Sequence, residues 1–157
     1  MKTIVKALAL MIGLVSILSV LSTQVATSAE KASQALWTES LSVATTRATQ
    51  EGKPILANFT GSDWCGWCIR LDREVFSTPE FATWAEKHVV LLKVDFPQAR
   101  ALSAETVRQN DALAAKYRVE GFPTIVFLKA DGTVIGQTGY VPGGAATWIA
   151  EANRLLK

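Results

Sequence analysis

The chain has 157 residues, of which 49% are hydrophobic and 19% charged, and its formal net charge at neutral pH is +2. Because this charge is small and no basic run concentrates it, the composition argues against a nucleic-acid-binding function. A chain of this length can bury an adequate core in one domain, so no disulfide is needed to hold the fold together.

The first 29 residues predict a secretory signal peptide. Two lysines precede a largely apolar run over residues 7–21, and the small residues 27–29 offer a cleavage site. A membrane anchor is the alternative, although the apolar run is short against the ~20 residues that a spanning helix needs. We therefore expect a signal peptide over 1–29, a mature domain over 30–157 and a periplasmic location.

The mature domain begins with a loose lead-in over 30–38 and then alternates between helices and strands. A helix is predicted over 39–50, because its apolar residues share one face, and Gly52 ends it. A strand over 54–60 follows. The turn at 61–63 then leads the chain into the next helix.

That next helix is predicted to begin at Cys65. The stretch 77–80 is typical of a capping box with an early proline and opens a further helical piece that runs to Lys87. Residues 89–94 are β-branched or aliphatic except for one lysine, which predicts a buried strand. The segment 96–102 is irregular.

The last part of the chain is predicted to contain a helix over 103–117, a hairpin and a final helix. Asp131-Gly132 is the hairpin turn between strands over 124–128 and 133–138. The final helix follows the break at 142–144. Strands separated by helices favour parallel pairing, and the hairpin adds an antiparallel edge, so the class is α/β.

Cys65 and Cys68 are the only cysteines of the chain, and two residues separate them. Because a domain of this size does not need a disulfide for its stability, we interpret the two cysteines as a redox-active pair. The thiolate is the reactive form, and the unpaired N–H groups and positive dipole at a helix start lower the pKa of a thiol there. We predict that Cys65 is the exposed attacking sulfur and Cys68 the buried resolving sulfur.

A metal site is the first alternative, because two thiolates at this spacing suit copper(I) or zinc. Such a site needs further ligands, and the chain has no other cysteine and a single histidine, His88. His88 is expected to open a strand and to have a structural role. We therefore expect neither a metal nor another cofactor.

These segments resemble the thioredoxin superfamily over roughly residues 36–156. Residues 64–68 match its W-C-x-x-C motif, and 121–124 match the segment that carries its cis-proline. The lead-in over 59–65 is similar to that of secreted thioredoxin-like proteins, and the C-terminal domain of membrane electron-transporting disulfide reductases is also similar. The resemblance implies a thioredoxin-like fold with a central mixed sheet of four to five strands, helices on both faces and a cis Pro123.

The leading hypothesis is a periplasmic thiol:disulfide oxidoreductase that reduces protein disulfides through Cys65 and Cys68. Its expected partners are protein thiols and disulfides and a membrane-bound electron donor, and we expect a monomer. The alternatives are a disulfide oxidase or isomerase, and a non-catalytic module that docks peptides. The residues expected to contact substrate are Trp64, Gly66, Trp67, Phe122 and Pro123, with Trp67 the more exposed of the two tryptophans.

The chain departs from thioredoxin in two ways. Asn58 stands nearest to the place of a buried Asp, and an amide cannot take the proton of the resolving thiol. Asp63 and Glu74 are candidate substitutes, although each is equally interpreted as a solvated surface charge. The residues between the cysteines are Gly-Trp, and no histidine lies beside the thiols, which favours a redox potential near the reducing end of the family range.

Overall fold

The computed structural model describes residues 36–157. The predicted signal peptide over 1–29 lies outside the described residues. From residue 36 onward, none of the helices combines the length and the apolar character needed to cross a membrane.

Five strands form one mixed sheet with the order β1-β3-β2-β4-β5. Strand β2 is central and pairs in parallel with β3 and antiparallel with β4. Strand β1 adds a parallel edge and β5 an antiparallel edge. The strands are β1 (Trp37–Thr38), β2 (Ile55–Thr60), β3 (Val90–Asp95), β4 (Thr124–Leu128) and β5 (Val134–Thr138).

Within residues 36–157, five α-helices surround this sheet, and a short π-helical turn follows the second of them. The helices are α1 (Leu41–Glu51), α2 (Gly66–Leu71), α3 (Pro79–His88), α4 (Ala104–Lys116) and α5 (Gly144–Leu155), and the π-helical turn is Asp72–Phe76. The first helix ends where predicted, because Gly52 adopts the left-handed conformation (φ 65°) that glycine tolerates best.

Two apolar layers, one on each face of the sheet, confirm the predicted α/β class. Alternate residues of β2 point to opposite faces. Leu56 packs in a layer with α2, α3 and α5 that is centred on Trp148. Phe59 packs in the other layer, beneath α1 and α4. Asn58 has the parity of Leu56, so it faces the layer that contains α2.

The prediction of parallel pairing is correct for β2 and β3 but wrong for β4. Thr124, the first residue of β4, lies opposite Phe59 near the end of β2. The chain therefore enters β4 at the end of the sheet where β2 finishes, and the two strands must run in opposite directions. A sequence pattern gives the order of the elements, but it does not say at which end of the strands the chain returns to the sheet.

Three local predictions also need correction. Strand β1 lies inside the predicted lead-in, where two residues are too few to produce a pattern. The side chain of Thr78, not that of Ser77, caps α3 by accepting the Phe81 N–H at 3.2 Å, while the Ser77 hydroxyl donates to Asp72. His88 ends α3 instead of opening a strand.

Candidate redox site

The two cysteines form a disulfide at the start of α2. Cys65 is the N-cap residue of this helix, and its Sγ accepts the backbone N–H of Cys68 at 3.2 Å. The first N–H groups of a helix have no partner within the helix, so Sγ takes the place of a capping oxygen. The same N–H and the positive helix end stabilise a thiolate on Cys65 once the disulfide is reduced.

Both cysteines are buried, which corrects one expectation. Cys65 is 8% exposed and Cys68 is 3% exposed, so the predicted order holds but Cys65 is not an exposed residue. Its side chain turns back over the first turn of α2, where it is bonded to Cys68 and accepts the Cys68 N–H. An attacking group must therefore come close to this turn of the helix.

Trp64 forms one side of the surface around the disulfide. Its ring is 45% exposed, and its Nε1 donates to the carbonyl oxygen of Phe96 at 2.7 Å. The ring meets Phe122 edge-on at 6.0 Å, and Phe122 stacks on Phe96 at 5.1 Å. A Cβ at Gly61 would overlap the indole of Trp64, so only glycine leaves room for the ring in this position.

The turn before Cys65 is hydrogen-bonded to the segment that follows β3. The carboxylate of Asp63 accepts the N–H groups of Gln98 and Ala99 at 2.9 and 2.6 Å. These two backbone bonds, that of Gln98 first, lower the pKa of Asp63. Asp63 therefore serves as an acceptor for this segment and is not a free substitute for a proton-accepting group.

The buried carboxylate of Asp95, at the end of β3, forms a second set of hydrogen bonds to this turn. It accepts the N–H and the hydroxyl of Ser62 at 3.0 and 2.7 Å and one N–H of Arg100 at 2.9 Å. Sequence reasoning missed Asp95, because an acidic residue at a strand end gives no sign of burial. The only available signal was its place directly after a run of apolar strand residues.

Phe122 and Pro123 lie at the same edge of the sheet as the disulfide. The Phe122–Pro123 peptide bond is cis, as the resemblance implied. A Cβ on Gly139 would stand 3.1 Å from the carbonyl oxygen of Pro123, so the segment after β5 approaches this proline closely. The segment after β5, which the sequence did not indicate as part of the site, therefore lies beside the predicted substrate-contacting residues.

Trp67 forms the other side of the surface and is 57% exposed. Its ring lies 5.2 Å from that of Tyr140, in the segment after β5, and the guanidinium of Arg70 lies over both rings. Glu74 accepts hydrogen bonds from Arg70 and Tyr140. This candidate proton acceptor is therefore also engaged elsewhere, and its pKa is lowered by Tyr140 first and Arg70 second.

Asn58 is buried on the sheet face that α2 covers and is 7% exposed. Its Oδ1 has no hydrogen-bond partner among the residues that the structure describes. A cavity of about 390 Å³ adjoins it, lined also by Asp72 and Lys93. Asn58 is thus a buried amide beside a polar cavity.

Gly66 is exposed and lies between Cys65 and Trp67, and a Cβ there would meet nothing within 4 Å. Packing therefore does not require a glycine at this position. Within residues 36–157, no cluster of three or more His, Cys, Asp and Glu side chains could hold a metal ion.

Comparisons with known proteins agree on one family. The model of the family described as "Thioredoxin-like domain" matches residues 41–153. The chain is 39% identical over 119 residues to "Disulfide bond reductase DsbH" of Chlamydia pneumoniae, a match that covers 76% of this chain and 72% of the relative. It is 34% identical over 105 residues to "Thiol:disulfide interchange protein DsbD" of Cronobacter sakazakii, covering 67% of this chain but only 16% of that protein.

A solved structure titled "DsbH Oxidoreductase" is similar to the described fold. It superposes with a TM-score of 0.69 at 38% identity, covering 72% of this chain and 78% of the other.

Proposed function

The chain belongs to the thioredoxin-like domain family, and we propose that it is a thiol:disulfide oxidoreductase that reduces disulfides of exported proteins. The observation that carries the proposal is the Cys65–Cys68 disulfide at the start of α2, where the Cys68 N–H is directed at the Cys65 sulfur. The similarity to a relative named a disulfide bond reductase supports the direction of electron flow.

The reaction begins from the reduced protein. The Cys65 thiolate attacks one sulfur of a substrate disulfide, which forms a Cys65–substrate bond and breaks the substrate bond, and the released sulfur takes up a proton. Cys68 then loses its proton and attacks the Cys65 sulfur. The protein disulfide forms, and the second substrate sulfur leaves and is protonated. The substrate has then gained two electrons from the protein and two protons, one from Cys68 and the other from solvent.

Each cysteine has the role that its position favours. Cys65 attacks, because the helix start stabilises its thiolate and it is the more accessible of the two. Cys68 resolves the mixed disulfide from within the helix. We assign substrate contact to Trp64, Gly66, Trp67, Phe122 and Pro123, because the contact between Trp64 and Phe122 joins the helix start to the proline segment.

We propose that the protein acts as a monomer in the periplasm, after removal of residues 1–29. The compartment is oxidising, so a membrane-bound dithiol donor must return two electrons after each cycle. N-terminal sequencing of the protein purified from the periplasmic fraction tests the first part of this proposal. The mature chain should begin at Glu30, and an intact N-terminus in the membrane fraction would support an anchor instead.

Reduction of insulin with dithiothreitol as the donor tests the reaction. Cys65→Ser should abolish the protein-dependent rate. Cys68→Ser, reduced and freed of dithiothreitol before insulin is added, should accumulate a mixed disulfide with insulin, because no second thiol is present to release it. Retention of the rate by Cys65→Ser would contradict the mechanism. A measured redox potential near the ~−120 mV of strong oxidants would support an oxidase in place of a reductase.

A further inference from the structure

The ring of Trp67 contacts Arg70 of the same helix and Tyr140 of the segment after β5, and Glu74 links these two side chains. Arg70 Nε donates to Glu74 Oε1 at 2.8 Å, and Tyr140 Oη donates to Glu74 Oε2 at 2.7 Å. The Arg70 guanidinium lies 5.6 Å from the Trp67 ring centre and 5.3 Å from the Tyr140 ring centre. We call Arg70, Glu74 and Tyr140 the Trp67 clamp.

The backbone favours this arrangement on both sides. Arg70 and Glu74 stand four residues apart where α2 passes into the π-helical turn, and side chains at that spacing are neighbours. Tyr140 directly follows Gly139, which lies against the Pro123 carbonyl and accepts the Trp148 Nε1–H at 3.0 Å. Tyr140 is thereby carried on a segment that the core fixes in place.

The clamp does not bury Trp67. Six large apolar residues within 36–157 are exposed, and Trp67 is the most exposed of them. Three of those six side chains, Trp64, Trp67 and Ile69, fall within six residues around the disulfide. Exposed apolar side chains grouped beside a reactive disulfide point to an interaction site. Holding an exposed ring still reduces the entropy lost when a partner binds against it.

We propose that the Trp67 clamp positions Trp67 as a fixed apolar wall of the substrate site, and that the enzyme thereby prefers protein disulfides with an apolar residue next to the attacked cysteine. Trp64, held by Phe96 and Phe122, forms the facing wall. The charges of Arg70 and Glu74 within the clamp offset one another. Arg73, which is more exposed, lies 3.9 Å from the Glu74 carboxylate and adds one positive charge near the apolar wall. This proposal rests on the proposed reductase activity.

The lowered pKa of Glu74 and the raised pKa of Tyr140 agree with a bond in which the phenol donates to a carboxylate. The clamp residues are positioning residues, because they act through the Trp67 ring. Their removal should therefore change substrate affinity and selectivity and leave the chemistry of the sulfurs intact.

Steady-state kinetics with matched peptide disulfides test the proposal. Two peptides are compared, with Leu or Ser next to the attacked cysteine, and hydroxyethyl disulfide serves as a substrate without side chains. The variants are Tyr140→Ala, Tyr140→Phe and Glu74→Gln. Tyr117→Phe is the matched control, since Tyr117 is the other tyrosine of the chain and bonds to Gly132 far along the sheet from the disulfide.

Wild-type protein should favour the Leu peptide by about tenfold in kcat/KM, which corresponds to ~1.4 kcal/mol. Tyr140→Ala should remove most of this preference through a higher KM, and Tyr140→Phe and Glu74→Gln should raise KM about two- to fivefold, the range expected for loss of one hydrogen bond. The rate with hydroxyethyl disulfide, the redox potential and the behaviour of Tyr117→Phe should stay at wild-type values.

An unchanged peptide preference in Tyr140→Ala would overturn the proposal, as would a wild-type protein without preference. If wild-type protein reduces no disulfide at all, the proposed function fails first, so the two failures are distinguishable.

A second measurement detects the ring itself. The chain has five tryptophans, so 5-fluorotryptophan labelling gives five ¹⁹F resonances, and replacing each tryptophan by Phe in turn identifies its resonance. Tyr140→Ala should shift and broaden the Trp67 resonance and leave in place that of Trp37, which lies in β1 at the opposite edge of the sheet from β5. A Trp67 resonance that Tyr140→Ala does not move would show that the clamp does not hold the ring, and would overturn the proposal.

Discussion

Trp64 and Trp67 stand three residues apart on either side of the same disulfide, yet they are held in different ways. Trp64 is fixed through the backbone: its Nε1 donates to a carbonyl oxygen, and the turn that carries it is fastened to Asp95 and to the segment after β3. Among the contacts within residues 36–157, Trp67 is fixed by the side chains of its clamp, of which Arg70 is exposed and Glu74 and Tyr140 are half-buried. The first ring depends on a backbone acceptor and on the buried carboxylate of Asp95, and the second on an ion pair near the surface, so different changes should disturb them.

The largest effect is expected from Asp95→Ala. This change removes the buried acceptor of Ser62 and the partner of Arg100, and it should lower the free energy of unfolding by about 3 kcal/mol. Urea unfolding measures the loss, and the Trp64 resonance should shift while that of Trp67 stays. Asp111→Ala, at an exposed position of α4, is the control and should change stability by less than ~0.5 kcal/mol. Equal effects of the two changes would contradict a bracing role for Asp95.

Gly61→Ala should have the next largest effect. The added methyl group overlaps the Trp64 indole, so the ring must leave its position and lose the bond to Phe96. We expect a loss of about 2 kcal/mol in unfolding free energy together with a changed Trp64 resonance. Gly121→Ala is the matched control, because a Cβ there meets nothing within 4 Å. A Trp64 resonance unchanged by Gly61→Ala would disprove the steric argument.

Acid should disturb both rings, but only at low pH. Backbone bonds from Gln98 and Ala99 lower the pKa of Asp63, and bonds from Tyr140 and Arg70 lower that of Glu74. Because each pKa is lower in the folded state than in the unfolded state, the stabilisation is complete above the unfolded-state value. It is lost as the pH falls through the folded-state value. A ¹⁹F titration checks this, and movement of either resonance already above pH ~5 would contradict the assignment of these carboxylates.

The smallest effect is expected from salt, and it should separate the two rings. At 1 M salt the Debye length falls to ~3 Å, so the exposed Arg70–Glu74 pair weakens. The bond between Trp64 and Phe96 joins neutral groups and should not respond. We expect the KM for the Leu peptide to rise by no more than about twofold, consistent with the small energy of exposed ion pairs. A larger response of the Trp64 resonance than of the Trp67 resonance would reverse the comparison.

Much of the fold could be predicted, because its elements have strong local patterns. The strand over 124–128 was predicted with the bounds that β4 has, and Ser103 caps α4 where the helix was expected to start. The direction of β4 and the existence of β1 could not be predicted in this way. Both depend on where the chain returns to the sheet, and no run of neighbouring residues encodes that.

In the candidate site, too, the residues could be predicted from local sequence, but their distant partners could not. Spacing and a helix start were enough to select Cys65 and Cys68, and the motif resemblance was enough to select Phe122 and Pro123. Asp63 and Glu74 were noticed as acids near the motif, but their partners were not. The partners of Asp63 lie 35 and 36 residues away, and Tyr140 lies 66 residues from Glu74.

The sequence by itself determined the chemistry, because two cysteines at this spacing at the start of a helix form a disulfide pair under local geometry alone. Only the tertiary structure decided the surroundings of that pair. It buried Cys65 more deeply than expected, brought Asp95 and the segment after β3 against the turn over 61–64, and placed Tyr140 beside Trp67. The physical reason is that these contacts join residues distant in sequence, and the order and direction of the strands determine which of them meet.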